Sequence, residues 1–283
     1  MHATLVGTGS PIPVLERAGT CLVVETGGEK FMIDCGPNTL HRLIEQNINY
    51  GEIEDLIITH HHLDHNASFY NFVFTSWAQG GRESLTVYGP DGTETLVNSM
   101  YDIYEDDLQY RKEIYPTKGI TDIEVERITE GFSTTIDGHT ITTLEVNHSI
   151  ETYAVKVTDP NDERTFVFSS DTSKIPELEE FARDADVLVQ DACIGPYDED
   201  DGVPDEGLVW DQYRTDTPYS SDAVYENHCT AEDAGEIASA AGVETLVMTH
   251  LMPYRDTDAM RERAEQSFDG TVMVAEDGLE IDI

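Results

Sequence analysis

The segment Thr59-His60-His61-His62-Leu63-Asp64-His65 packs four histidines and a carboxylate into seven residues. Imidazole nitrogens and carboxylate oxygens are donors that suit zinc. The segment follows Leu56-Ile57-Ile58, an apolar run that reads as a buried strand. A loop leaving a strand end can aim His60, His62, Asp64 and His65 at one point. Asp64 and His65 are neighbours in sequence, so they are not expected to reach the same metal from one face. With His60 and His62, that layout suggests two adjacent metals rather than one.

Three further candidates repeat the order of apolar strand and then ligand. His148 ends the run Thr143-Leu144-Glu145-Val146, Asp171 follows Phe166-Val167-Phe168-Ser169-Ser170, and His250 follows Leu246-Val247-Met248-Thr249. Side chains at the ends of rigid strands, on one rim, can be positioned to a fraction of an ångström. In the dinuclear arrangement this suggests, His60, His62 and His148 hold the first metal. Asp64, His65 and His250 hold the second, and Asp171 bridges them with one carboxylate oxygen on each. A water between metals ~3.5–4 Å apart loses a proton near neutral pH and becomes the attacking hydroxide, while the metals polarise the substrate oxygen. Each ligating imidazole should donate its other N–H to a carboxylate or carbonyl. Asp34, at the end of Phe31-Met32-Ile33, is a candidate for that outer role. The donor set leaves zinc, manganese and iron open.

The elements that must position these residues alternate. Strands are expected at Ala3–Gly7, Cys21–Glu25, Lys30–Asp34, Asp55–Thr59 and Ser84–Tyr88, with helices at Thr39–Gln46, Ala67–Gln79 and Thr93–Tyr115. The middle is β-rich, from Asp122 to Ser169, and Asp137-Gly138 marks a hairpin turn before His139. Alternation then returns, with helices at Glu177–Arg183, Ala231–Ala241 and Asp256–Ser267 and strands at Val187–Gln190, Thr245–Thr249 and Thr271–Ala275. An acidic insertion rich in Pro and Gly spans about 197–227. The mixed order argues for layered sheets with helices outside, in one domain over 1–283.

The chain carries 57 Asp plus Glu against 16 Lys plus Arg, a formal net charge of -41. The acids are spread among apolar periodic segments, which fits a folded protein with an acidic surface rather than a disordered tail. Such self-repulsion is tolerable where salt screens it, over roughly 3 Å at 1 M. The composition therefore points to a halophilic source, an archaeon whose cytoplasm is concentrated in salt. Cys21, Cys35, Cys193 and Cys229 form no C-x-x-C pair and read as free thiols of a reducing compartment. No secretory signal or run of ~20 apolar residues is visible, so the expected location is cytoplasmic, with no membrane partner.

His-x-His-x-Asp-His at 60–65, with His148, Asp171 and His250, resembles the ligand series of the metallo-β-lactamase superfamily, all seven positions in order. The resemblance implies an α+β fold, a four-layer αββα sandwich with metals at the sheet rim. Gly7-Thr8-Gly9-Ser10-Pro11, Asp34-Cys35-Gly36, Ser170-Asp171-Thr172 and His228-Cys229-Thr230-Ala231-Glu232-Asp233-Ala234 are similar to segments of the ribonuclease Z branch. That resemblance implies that His228 protonates the leaving group. Its partner, usually a Glu in a His-Glu-Ala-Thr stretch, would be Asp191 of Gln190-Asp191-Ala192-Cys193. Asp64, His228 and Asp191 are then the catalytic residues, two zinc ions the expected cofactors, and a homodimer the expected assembly.

Two departures bear on the substrate. Positions 149–170 leave 22 residues between His148 and Asp171, too few for the tRNA-binding arm of ribonuclease Z. The chain also lacks a basic stripe. Arg111-Lys112 and Arg255, Arg261 and Arg263 are its small clusters, and phosphate binding without Lys or Arg is weak at moderate salt. A small-molecule ester, most simply a phosphodiester, is the expected substrate and nucleic acid the less favoured one. Alternatives on the same metals are tRNA 3′ processing and a sulfatase or lactonase activity; a non-catalytic regulator would require a degraded ligand set.

Overall fold

The structure, a computed structural model, describes residues 1–161, 163–195 and 224–283. Most of the acidic insertion expected at 197–227 therefore lies outside the described residues.

Fourteen strands among the described residues form two seven-stranded sheets. In the first, β1 (His2–Gly7), β2 (Cys21–Glu25) and β3 (Lys30–Ile33) run antiparallel. From β3 the sheet continues in parallel through β4 (Ile53–Ile57), β5 (Leu85–Gly89) and β6 (Ile123–Arg127). In the second, β7 (Ser133–Ile136), β8 (His139–Glu145), β9 (Tyr153–Thr158) and β10 (Thr165–Phe168) run antiparallel. That sheet continues in parallel through β11 (Val187–Asp191), β12 (Thr245–Thr249) and β13 (Thr271–Val274). The last strand, β14 (Leu279–Asp282), returns to the first sheet and pairs with β1.

Strand alternation sorts the apolar residues into layers. Phe31 and Ile33 of β3 face Phe166 and Phe168 of β10 in a core between the sheets. Met32 points the other way, into a layer with Leu40 and Leu43 of helix α1 (Thr39–Glu45), past the short helix α2 (Leu63–Asn66), and with Phe69, Phe72 and Val73 of α3 (Phe69–Ala78). Helices α4 (Thr93–Ile103) and α5 (Glu105–Lys112) extend that layer through Val97, Met100 and Leu108. On the far side, Val167 packs against α6 (Pro176–Phe181), α7 (Ala231–Ala241) and α8 (Thr257–Ala264). Helix, sheet, sheet and helix are the four layers the sequence implied.

The alternation of strands and helices matches expectation along most of the chain, with three differences, the first being the short helix α2 in a stretch read as a loop. The helix expected over Thr93–Tyr115 is two helices: Tyr104 leaves helical geometry (φ −108°, ψ 23°), and Glu105, Asp106 and Asp107 open a new first turn, where carboxylates oppose the helix dipole favourably. Strand β14 was not anticipated, because Leu279-Glu280-Ile281-Asp282 is too short and acidic for alternation to stand out. The hairpin before His139 forms as expected: Ile136 pairs with His139 across Asp137 (φ 45°) and Gly138 (φ 79°), the two positive angles a tight hairpin turn needs.

Because β8 is antiparallel to β9 and β9 to β10, the C-terminal ends of β8, β10, β11 and β12 share one rim. His148, Asp171, Asp191 and His250 all sit at that rim, opposite the loops after β3 and β4. Ligand-bearing loops at the carboxyl ends of strands are the usual site-forming arrangement of layered α/β structures.

Candidate metal centre

The loop after β4 is shaped by what it must avoid. His62 is extended (φ −73°, ψ 149°) and opens α2, which carries Asp64 and His65 in one helical turn. Gly36 lets this turn approach closely: a Cβ there would stand 2.2 Å from the Asp64 carbonyl oxygen and 2.6 Å from the carbonyl carbon of Gly19. Cys35 N–H donates to the His65 carbonyl at 2.7 Å, fixing the turn against the end of β3.

Of four overlapping donor groups found at the rim among the described residues, two are made of the expected ligands. His60, His62, His148 and Asp171 form one, and Asp64, His65, Asp171 and His250 the other; within each, the donor atoms lie within 4.8 Å of one another. Asp171 belongs to both. All seven residues named from the sequence as ligands are thus brought together. Asp64 and His65 fall in the same group, as the dinuclear arrangement placed them, with Oδ2 and Nε2 3.7 Å apart; the helical turn lets these neighbours in sequence point to one side. One detail differs from the expectation that each Asp171 oxygen faces its own group. Oδ2 lies 3.7 and 3.9 Å from Nε2 of His60 and His148, and 3.3 Å from Nε2 of both His65 and His250. The four imidazoles converge on one end of the carboxylate.

These residues fit divalent cations. Nε2 of His60 and Nε2 of His65 are buried and have no hydrogen-bond partner. Donors bonded at about 2.0–2.1 Å in a tetrahedron stand about 3.3 Å apart, close to the 3.2 and 3.3 Å between His250 Nε2 and the carboxylates of Asp64 and Asp171. Charge agrees. Asp34, Asp64, Asp171 and Asp191 are all buried, and two divalent cations would neutralise four carboxylates. In the bare chain two of the imidazoles, His65 and His250, are pushed towards the protonated form instead, while burial pushes His60, His62 and His148 the other way. Burial pushes His65 down, but Asp171 and Asp34 outweigh it and raise its pKa to about 10. His250 is raised likewise against burial, by Asp171 first and then by Asp191 and Asp64.

Behind the donors stands an outer ring of partners. His65 Nδ1 meets Asp34 Oδ2 at 2.7 Å, the role foreseen for Asp34. Thr59 donates to the same carboxylate, from its amide at 2.8 Å and its hydroxyl at 2.8 Å, and its Oγ1 lies 3.1 Å from His60 Nδ1. Asp34 therefore supports two imidazoles, one directly and one through Thr59. His148 Nδ1 faces the Asn227 carbonyl at 3.1 Å and His62 Nε2 faces Ser149 Oγ at 3.3 Å. Thr59, Ser149 and Asn227 were missed from sequence. Each is adjacent to a ligand or to His228, but small polar residues in loops carry no distinguishing signal. His61, the fourth histidine of the cluster, points away and joins Asn66 to Thr93 at the start of α4.

His228 stands beside both groups. Its ring stacks on His250 with centroids 5.3 Å apart and meets His148 edge-on at 5.1 Å. Nδ1 lies 2.9 Å from Asp191 Oδ2, as the sequence pairing required. Burial pushes the His228 imidazolium down; the Asp191 carboxylate and its hydrogen bond outweigh that and hold its pKa above the ordinary value. All four cysteines are free and buried, with Cys193 packed near His228 and His250. Among the described residues no helix is long and apolar enough to cross a membrane.

Two facing mixed sheets, outer helices and a His/Asp rim at the strand ends give the chain the metallo-β-lactamase fold, and its relatives support a metal-dependent hydrolase similar to ribonuclease Z. Over residues 1–200 the sequence matches the family model described as anti-Pycsar protein Apyc1, and the chain belongs to that family. The ribonuclease Z of Mycobacterium marinum is 29% identical over 285 residues, covering 98% of this chain and 96% of that protein. Among solved structures, the metallo-β-lactamase fold protein YhfI from Bacillus subtilis superposes with a TM-score of 0.74 at 24% identity, over 99% of each chain. The short form of human tRNase Z gives 0.72 at 20% identity, over 100% of this chain and 99% of that one.

Proposed function

We propose that this protein is a dinuclear zinc phosphodiesterase acting on a small phosphodiester. The observation that carries the reading is the sharing of Asp171 by the two four-donor groups made of the expected ligands, with His228 stacked beside them and tied to Asp191. Under it His60, His62, His148 and Asp171 hold one cation, and Asp64, His65, Asp171 and His250 the other. When bound, such a pair polarises a phosphoryl oxygen and provides a water ionised near neutral pH as nucleophile.

The chain's own residues supply orientation and the proton. Asp34, directly and through Thr59, fixes the His65 and His60 rings. Asp191 accepts from His228 Nδ1, which leaves the other ring nitrogen, Nε2, to carry the proton that the departing oxygen takes as its bond to phosphorus breaks.

Small size is supported by what stands where an arm would be. Residues between His148 and Asp171 form β9, β10 and their connections. The clustered arginines are engaged at home: Arg111 with Asp107, Arg261 with Asp258 and Arg263 with Glu232. A second reading, tRNA 3′-end processing, is favoured by the curated relatives named ribonuclease Z. Assays on the metal-replete protein with bis(p-nitrophenyl) phosphate and with precursor tRNA, both at molar salt, separate the two. Cleavage of the small diester alone is expected. Efficient processing of the precursor selects the second reading, and turnover of p-nitrophenyl sulfate or a lactone without any phosphodiester overturns both.

A further inference from the structure

Of the five histidines that face the two donor groups, four have their outward nitrogen paired: His60 with Thr59, His62 with Ser149, His65 with Asp34 and His148 with Asn227. His250 is the exception. Its Nε2 faces Asp64 and Asp171, and its Nδ1 is buried with no hydrogen-bond partner. A ligating imidazole almost always donates its second N–H, which fixes both tautomer and ring angle. Asp191 Oδ1 lies 3.6 Å from this nitrogen.

Asp191 has room for it. A carboxylate offers about four acceptor sites. Three are taken: Oδ2 accepts from the Thr172 amide at 3.1 Å and pairs with His228 Nδ1 at 2.9 Å, and Oδ1 accepts from the Cys193 amide at 2.9 Å. The fourth lies on Oδ1, the oxygen that faces His250. The rings of His228 and His250 are nearly parallel, 11° apart, so their Nδ1 edges address the same carboxylate side by side.

We infer that Asp191 holds two imidazoles at once, orienting His228 through Oδ2 and closing onto His250 Nδ1 through Oδ1. Asp191 is then a positioning residue that couples the proton donor to one of the metal ligands, an inference that rests on reading His250 as a ligand. Removing the carboxylate must therefore damage two separable properties, proton delivery and metal retention. Removing His228 damages only the first.

Zinc titration by calorimetry of the wild-type chain, Asp191→Asn, His228→Ala and Cys193→Ala tests this. Asn keeps the shape but cannot accept from both rings. Asp191→Asn is expected to bind one of two zinc ions about 10–100-fold more weakly, while His228→Ala and Cys193→Ala keep both affinities. Wild-type affinity in Asp191→Asn, or an equal loss in His228→Ala, overturns the inference and leaves the proposed function standing. A wild-type chain that binds fewer than two ions overturns the reading beneath it. A crystal structure of the zinc-loaded wild-type protein gives the second readout, independent of how the variants fold. Nδ1 and Oδ1 are expected within about 3.2 Å; Cys193 Sγ as the partner of Nδ1 overturns the inference.

Discussion

Asp34 Oδ2 lies 2.7 Å from His65 Nδ1, and both side chains are wholly buried. The same carboxylate accepts from the Thr59 hydroxyl, which in turn reaches His60. Asp34→Ala strips support from both rings. It is expected to weaken zinc binding about 10–100-fold and to destabilise the metal-free fold by about 3–5 kcal/mol, the cost of breaking a buried charged pair. Thr59→Val leaves the Asp34–His65 contact and should cost only about 1–3 kcal/mol, that of unpaired buried groups. Denaturant unfolding and zinc titration of the two variants check the order. Equal effects would show that the carboxylate does not act through two separate rings.

The charge around His65 makes a second expectation. In the metal-free chain its pKa is raised to about 10 by Asp171 and Asp34 against burial, above its unfolded value of about 6.5. The stability it contributes is therefore full below about pH 6.5 and is lost as pH rises through about 10. Metal displaces that proton, so metal affinity must grow over the same range. Thermal unfolding with chelator should give a melting temperature that falls from pH 6 to pH 10, and the gap between chelated and zinc-loaded protein should widen. A chelated protein that gains stability towards pH 10 would contradict the buried pairing.

Much of the centre was legible because its grammar is local. β4, β10 and β12 are each an apolar run followed within three residues by a ligand, and strand ends on one rim leave few other uses for His and Asp there. Long-range facts were less visible. The partnering of His148 with Asn227 joins residues 79 apart in sequence, and nothing in either segment announces it. The one-turn helix Leu63–Asn66 is too short for periodicity to announce it. The chain's last strand was hidden for the same reason.

Proton delivery by His228 can be separated from every other role through the leaving group. A p-nitrophenolate departs without much help, whereas an alkoxide needs the proton. His228→Ala should lower kcat about 10²–10⁴-fold on an alkyl phosphodiester, the usual worth of a positioned acid, and far less on bis(p-nitrophenyl) phosphate. Because Asp191 holds the His228 pKa above the ordinary value, the wild-type rate on the alkyl ester should fall on the alkaline side as the imidazolium loses its proton, and on the acid side as the nucleophilic water is reprotonated. A uniform loss on both substrates would assign His228 a structural part.

Close approach at Gly36 gives a test of the scaffold rather than of the chemistry. Gly36 N–H donates to the Thr20 carbonyl at 3.0 Å, and an added Cβ would strike backbone on two sides. Backbone cannot swing aside as a long side chain can. Gly36→Ala must push α2 outward, carrying Asp64 and His65 with it, so zinc binding by their group should fail while the His60, His62 and His148 group retains some affinity. Loss of one ion from two, measured by metal analysis, is the expected result; two ions at full affinity would mean the turn yields cheaply.

Salt tests the surface. With a net charge of -41 the fold carries repulsion that a screening length of about 10 Å at 0.1 M leaves largely in force and one of about 3 Å at 1 M removes. Many of the described cations are already paired, as in Lys174 with Glu236 and Arg42 with Asp277, and 16 Lys plus Arg cannot offset 57 Asp plus Glu. Raising KCl from 0.1 to 3 M should raise the melting temperature steeply up to about 1 M and then more slowly, as apolar burial continues to strengthen after screening saturates. Replacing five exposed acids, among them Asp102, Asp106 and Glu130, by Gln or Asn should raise stability at 0.1 M and change little at 3 M. A melting temperature indifferent to salt, or variants that gain equally at both concentrations, would show that the surface charge is not what the salt relieves.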